Sequence, residues 1–366
     1  MNPGWRKVIC SIMEISITSH GFERKRKSCR AIGGAHSSTE DQVDINLVTS
    51  SVTEELKQFQ ERYKTVLHSS NSLVDKVTRY VLRQQGKQIR PTLVILAAKA
   101  CGGVHDVTYR GAIMVELLHS ATLIHDDVVD GAEMRRGIPS INALWKNKIS
   151  VLIGDYLLSK GLLYSLENKD YRSLHLVSEA VRRMSEGEIL QIQKTRSLDI
   201  TEEDYVSVIA DKTGSLIATS CAIGAATATD SEDEIASLKS YGEFLGLAFQ
   251  IRDDLLDYTG DSKKTGKQLG IDIKDRKITL PLIHALRQSD KSEQNRIKSI
   301  LKSSRKRSVR TAEVIDFVTR KGGLEYSATV AEGFADKALE SLARFPESDA
   351  KRSLQLLVDF VMKRQH

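Results

Sequence analysis

Two clusters of aspartate are the residues in this chain best placed to do chemistry: Asp126-Asp127-Val128-Val129-Asp130 and Asp253-Asp254-Leu255-Leu256-Asp257. On a helix, positions i and i+4 share one face and i+1 lies about 100° round, so Asp126 and Asp130 can grip a single cation, as can Asp253 and Asp257. Three carboxylates so close repel one another, and near the carboxyl end of a helix the macrodipole disfavours them further. A local rule broken twice points to function. Oxygen donors without His or Cys suit a hard ion, and Mg²⁺ prefers few carboxylates completed by water and phosphate oxygens. The implied ligand is a diphosphate. Acidic caps on a solvated surface are the plainer reading, but the largely apolar runs Leu117 to Ile124 and Phe244 to Ile251 set both clusters beside the core.

Basic residues accompany the carboxylates. Gly86-Lys87-Gln88-Ile89-Arg90-Pro91 puts Lys87 and Arg90 at a helix start, where backbone amides and the dipole also favour an anion. Arg135 and Arg136 follow the first motif closely, and guanidinium forks suit a phosphate. Lys212, Thr213, Lys267 and Lys277 are further candidates. Taken singly, each is an ordinary solvated group. His119 lies nearly two helical turns before Asp126 on the same face, where a lone histidine is usually a satisfied core residue.

These residues need helices to position them. The chain has only five prolines, and Pro91, Pro139, Pro281 and Pro346 fall where a helix can begin, so the body reads as all-helical. Periodicity predicts helices over 72–84, 91–100, 108–129, 150–166, 171–193, 202–228 and 233–258, then a Gly- and Lys-rich loop over 260–270. From Leu280 onward the pattern suggests a plain amphipathic coat. A single domain over 51–366 follows, preceded by a poorly structured basic extension over 1–50.

The net charge is +6, of which residues 1–40 hold +4, and aromatic content is 5%; no finger or RNA-binding signature accompanies the charge, which argues against nucleic acid. Cys10, Cys29, Cys101 and Cys221 are far apart and read as reduced cytoplasmic thiols. No run of eighteen uninterrupted apolar residues occurs, so no membrane span is expected. The basic, Ser-containing extension could serve as an organellar transit peptide, but Glu14, Glu23 and the missing amphipathic pattern favour an unstructured segment, with Met13 as another candidate start.

From about Ser51 to Lys363 the chain resembles the long-chain trans-polyprenyl diphosphate synthases. The resemblance rests on Gly86-Lys87-x-x-Arg90-Pro91, on His119 to Asp130 followed by Arg135-Arg136-Gly137, on Gly154-Asp155, on Lys212-Thr213, and on Phe249-Gln250 to Asp257 with Gly266-Lys267 and Lys277. It implies an all-α fold, a single large helical bundle around a central cavity, acting as a homodimer with two or three Mg²⁺ ions per site. It further implies that Lys87, Arg90, His119 and Arg136 hold isopentenyl diphosphate. Arg135, Lys212, Thr213, Gln250, Lys267 and the metal would hold the allylic diphosphate (dimethylallyl, geranyl or farnesyl), and the product would serve as a quinone side chain.

Product length should depend on a tunnel below the first motif. Thr122 and Ala121, then Leu118, then Val115 and Met114 step back along its helix, with Leu157, Leu158 and Leu162 as a floor. Shorter-chain relatives carry bulky aromatics at the equivalent turn, so the small Ala121 and Thr122 suggest a long product. Geranylgeranyl or farnesyl synthesis, and a non-catalytic subunit of a heteromeric synthase, are the alternatives; such a subunit would be expected to lose an aspartate motif. A His-Asp metal phosphohydrolase, suggested by His125-Asp126, leaves the second motif and the Lys87/Arg90 pair without a role. A class I terpene cyclase should replace the second aspartate motif with a mixed triad.

Overall fold

The structure, a computed structural model, describes residues 45–84, 86–259, 270–302 and 307–363. Lys267, Gly266, most of the expected 260–270 loop and nearly all of the basic extension lie outside the described residues. Among the described residues helix is already present at Ile45, ahead of the expected start near Ser51: α1 (Ile45–Thr49) and a 3₁₀ turn (Ser50–Val52) bury Val48 and Val52. The body then continues through α2 (Thr53–Leu67), α3 (Ser72–Arg83), α4 (Ile89–Cys101) and α5 (Asp106–Val129). A small antiparallel hairpin, β1 (Met134–Arg135) and β2 (Ile138–Pro139), interrupts the helices after the first motif.

Next comes α6 (Ile141–Glu167), which starts earlier than the expected 150–166 because Ser140 caps it, accepting from the Ala143 N–H, and kinks at Lys146 (φ 67°). It is followed by α7 (Tyr171–Ser197) and α8 (Glu202–Ile209). The helix expected over 202–228 is not continuous: a π turn at Ala210–Gly214 separates α8 from α9 (Ser215–Ala226). The extra residue of a π turn rotates everything after it and frequently marks a functional site. The long α10 (Glu232–Thr259) carries the second motif, with the short α11 (Ile271–Lys274) beyond it.

At the centre, α9 is buried from Ser215 through Ala225, its small side chains letting α4, α5, α7 and α10 approach closely. A Cβ on Gly246 of α10 would lie 2.7 Å from the Gly214 Cα, so a side chain there would push α10 away from the π turn. The apolar interior forms two clusters, and α10 contributes to both: Leu238, Tyr241 and Ala248 to one, Ile251, Leu255 and Tyr258 to the other. The second cluster overturns the expected coat. Leu280, Leu282, Phe317 and Val318 are fully buried, so the helices after Leu280 build core of their own around the end of α10.

By length and composition two helical runs could cross a membrane, Ile141–Glu167 and Glu202–Ala226, a test that a buried core helix also passes. The apolar window of the second is 67% buried and is the bundle's core. That of the first is 33% buried, because α6 turns Val151, Leu152, Leu163 and Leu166 outward.

Candidate active site

The first motif occupies the last turn of α5. Asp130 is its C-cap, donating its backbone N–H to the Asp126 carbonyl at 2.8 Å. Asp127 is buried and accepts from Arg135 Nε at 2.9 Å, with Arg135 Nη2 at 2.8 Å from the same oxygen. This pair ties the motif to the hairpin, whose two turn residues, Arg136 and Gly137, both have positive φ (52° and 79°), as a two-residue hairpin turn requires. Neither Asp126 nor Asp130 makes a side-chain hydrogen bond or ion pair among the described residues. Burial raises the Asp126 carboxyl, with Glu188 and Asp130 adding to it and Lys212 opposing. His125 turns away beneath the motif, its Nε2 3.3 Å from the Val151 carbonyl; it fills the notch left by Gly154, where a Cβ would collide with the imidazole.

A cavity of about 490 Å³ opens beside this motif, lined by Lys87, Arg90, Glu116, His119, Arg135 and Arg136 among others. Lys87 precedes α4, its ammonium 4.7 Å from the Phe360 ring centre. Arg90 sits in the first turn of α4 and donates from Nη1 to His119 Nε2 at 3.0 Å. Since an arginine cannot accept, that nitrogen is the unprotonated one. Burial, together with Arg90, Arg136 and Arg135, holds the imidazole well below its ordinary range, so His119 is neutral. The four residues assigned by resemblance to isopentenyl diphosphate thus share one cavity. Arg135, assigned by the same resemblance to the allylic diphosphate, lies on this cavity too.

A second cavity of about 140 Å³, also bounded by α10, gathers Lys212, Thr213, Gln250 and Lys277 with Asp254 and Asp272. The two cavities share α10 as a wall: Phe249 lines the first and the next residue, Gln250, the second. Thr213 donates to Gln250 Oε1 at 2.9 Å, Gln250 Nε2 donates to Asp254 at 2.8 Å, and the Tyr205 hydroxyl donates to the other Asp254 oxygen at 2.7 Å. Burial, with Asp272 nearby, pushes the Asp254 carboxyl up to about 7 despite these bonds. Lys212 pairs with Glu188 and donates to Gln191 at 3.1 Å, while remaining within electrostatic reach of Asp126. Asp257 accepts the backbone N–H groups of Ile271 and Asp272 at 3.0 Å each, anchoring α11. Burial and then Asp257 drive Asp272 up to about 6, and Lys277 stands 3.9 Å from it.

Glu116, Tyr205 and Asp272 went unnoticed in the sequence. Tyr205 shows no usable spacing because the π turn resets the helical phase between it and Lys212. Asp272 reaches the site only because the chain folds back onto Asp257. The tunnel positions are close-packed: Ala121, Leu118, Val115 and Met114 are buried, Ser165 donates to the Met114 sulfur at 2.7 Å, and the first cavity ends at Ser120, Leu123 and Ile124.

The donors fit a hard cation. Among the described residues no three His, Cys, Asp or Glu side chains converge as a ready chelate. An ion that keeps several waters and draws its remaining ligands from phosphate oxygens needs no such cage. Asp126 and Asp130, without side-chain partners among the described residues, and the Asp257–Asp272 neighbourhood, where Asp257 adds to the raising of Asp272 by burial, are where such a charge would be most stabilised.

Residues 71–318 match the family Polyprenyl synthetase. A short chain isoprenyl diphosphate synthase of Methanothermobacter thermautotrophicus is 37% identical over 295 residues, covering 80% of this chain and 90% of that protein. Octaprenyl diphosphate synthase of Escherichia coli is 35% identical over 298 residues, with 81% and 92% covered. The crystal structure of a decaprenyl diphosphate synthase from Rhodobacter capsulatus superposes with a TM-score of 0.83 at 33% identity, covering 88% of this chain and all of that one.

Proposed function

The chain belongs to the polyprenyl synthetase family and is a prenyl transferase, and on that premise we propose that it joins isopentenyl diphosphate to an allylic diphosphate at the two aspartate motifs, releasing a long all-trans polyprenyl diphosphate. The observation that carries this reading is the pair of basic and acidic cavities that share α10 as a wall, one for each diphosphate.

In this reading Lys87, Arg90, Arg136 and the neutral His119 hold the extender, while Lys212, Thr213, Gln250, Lys277 and Lys267 hold the starter. Mg²⁺ bound by Asp126, Asp130, Asp253 and Asp257, as two or three ions, supplies the charge that stabilises the departing diphosphate. The chain positions the extender's double bond beside the allylic carbon as the C–O bond ionises, and Leu123, Ile124 and Phe249 keep that region dry. Attack extends the chain by one C5 unit, and the proton lost passes to the released diphosphate.

A long product is supported by the small Ala121 and Thr122 and by the octaprenyl and decaprenyl relatives, and a quinone side chain is its natural destination. A shorter product is the second reading, supported by the short chain relative. A non-catalytic subunit is disfavoured, because both motifs are complete. The outward apolar strip of α6 supports a homodimer, and the free Cys101 and Cys221 suit a reducing compartment, as the proposed cytoplasmic location and the organellar alternative both are.

The test is incubation of the full chain with isopentenyl diphosphate, each allylic starter and Mg²⁺, with chromatographic sizing. A ladder extending past geranylgeranyl diphosphate supports the proposal. Growth that stops there moves it to the shorter reading, and no product with any starter overturns it.

A further inference from the structure

The first cavity contains a group that a pocket for an anion has no evident use for. Glu116 lies on α5, one turn before His119, and is 6% exposed. A buried carboxylate weakens the positive potential that draws in a diphosphate and carries a desolvation cost of its own. Its surroundings explain how it is tolerated. Arg90 faces it from α4 and Arg136 from the hairpin turn, with Arg135 and Lys87 elsewhere on the same wall. On another side lies Tyr63 of α2, whose hydroxyl is 3.3 Å from Ser120, and His119 follows on α5 itself.

Glu116 nonetheless makes no ion pair within 4.0 Å among the described residues. The guanidinium groups balance its charge without fixing it in a bidentate clasp. Arg90 is under matching strain: its Nε is buried without a hydrogen-bond partner among the described residues, and burial pulls its pKa down to about 10. Burial pushes the Glu116 carboxyl up to about 7, with Arg90 and Arg136 opposing. A diphosphate entering the cavity redirects those arginines toward phosphate oxygens. It also adds negative charge beside the carboxylate, and like charges in one low-dielectric site do not both stay ionised.

We propose that Glu116 is a displaceable counter-charge: ionised in the free enzyme, where it balances Arg90 and Arg136, and protonated when a diphosphate takes over those arginines, so that extender binding takes up a proton from solvent. This rests on the reading of the cavity as the isopentenyl diphosphate site. Because binding raises the affinity of Glu116 for its proton, extender affinity falls as pH rises above about 7, by at most about tenfold per pH unit. It levels off once the carboxylate stays charged in both states. Below that range Glu116 is protonated with or without ligand and contributes no slope.

The experiment is calorimetric titration of isopentenyl diphosphate into the full chain at about pH 8 in two buffers of different ionisation enthalpy, which counts protons taken up. The ligand's own ionisation is common to all variants and cancels. Wild type should take up close to one proton more than Glu116→Gln, and Glu116→Gln should bind more tightly at that pH with a flatter pH profile. Equal uptake in the two proteins overturns the proposal. So does uptake retained in Glu116→Gln but lost in His119→Asn, which assigns the proton to the histidine. If Glu116→Gln does not fold, Glu116→Asp should keep the uptake with a displaced midpoint, and an unchanged midpoint overturns the proposal. Arg90→Gln separates the two layers: unchanged extender affinity defeats the reading of the cavity, whereas lost affinity with uptake independent of Glu116 defeats the counter-charge alone.

Discussion

Among the described residues Asp126 and Asp130 have no side-chain partner, while the middle aspartate of each motif is already engaged: Asp127 by Arg135, and Asp254 by Tyr205 and Gln250. A carboxylate that is buried and bonded positions its helix turn; one without such a bond is available to a cation. Asp126→Ala, and Asp253→Ala at the matching first position of the second motif, should each cut turnover by two or more orders of magnitude with the circular dichroism unchanged. Near-normal rates in folded variants would contradict the metal assignment. Asp254 gives a different signature. Its folded-state acidity of about 7 lies above the ordinary 3.8, so the folded chain holds that proton more tightly. The stability it contributes is present below 3.8 and is lost as pH rises through about 7. Urea unfolding across that window should show a shallower decline for Asp254→Asn than for wild type, the remainder coming from Asp272 and Glu116, which shift in the same direction.

Among the elements, the π turn between α8 and α9 is held by a residue remote from both cavities. Arg183 of α7 donates from Nε to Asp211 in the turn and from Nη2 to Glu243 of α10, both at 2.8 Å. Removing it leaves two partly buried carboxylates unpaired and frees the turn that carries Lys212 and Thr213. Arg183→Ala should cost about 1–3 kcal/mol of stability. Steady-state kinetics should show KM for the allylic substrate rising on the order of tenfold, with KM for isopentenyl diphosphate little changed. An equal change in both constants would reduce Arg183 to a general stabiliser. On α5, Ala121 is 2% exposed and has little room to spare. Ala121→Phe should shift the product ladder toward shorter chains, and an unchanged ladder would remove this turn from the tunnel.

For the whole molecule, the outward strip of α6 is an apolar surface left open to water: Leu152 and Leu163 are each 55% exposed on a helix apolar enough to resemble a membrane span. Placed against a second copy, that strip would lose its contact with water. Leu152→Glu with Leu163→Glu should convert the proposed dimer to monomer in light scattering, and an unchanged mass would place the interface elsewhere. The sequence by itself determined the helical class, the two aspartate motifs and most of the basic residues around them. Those signals are local: helical period, charge at i and i+4, and proline at helix starts depend only on near neighbours. Tertiary structure alone decided that α10 forms a wall of both cavities and that a π turn sets the direction of Lys212. It likewise decided that the helices after Leu280 build core rather than coat, and that Glu116 of α5 comes to lie between Arg90 and Arg136. Each of those depends on which distant segments pack together, and a side chain's solvation and charge environment do not exist until they have done so.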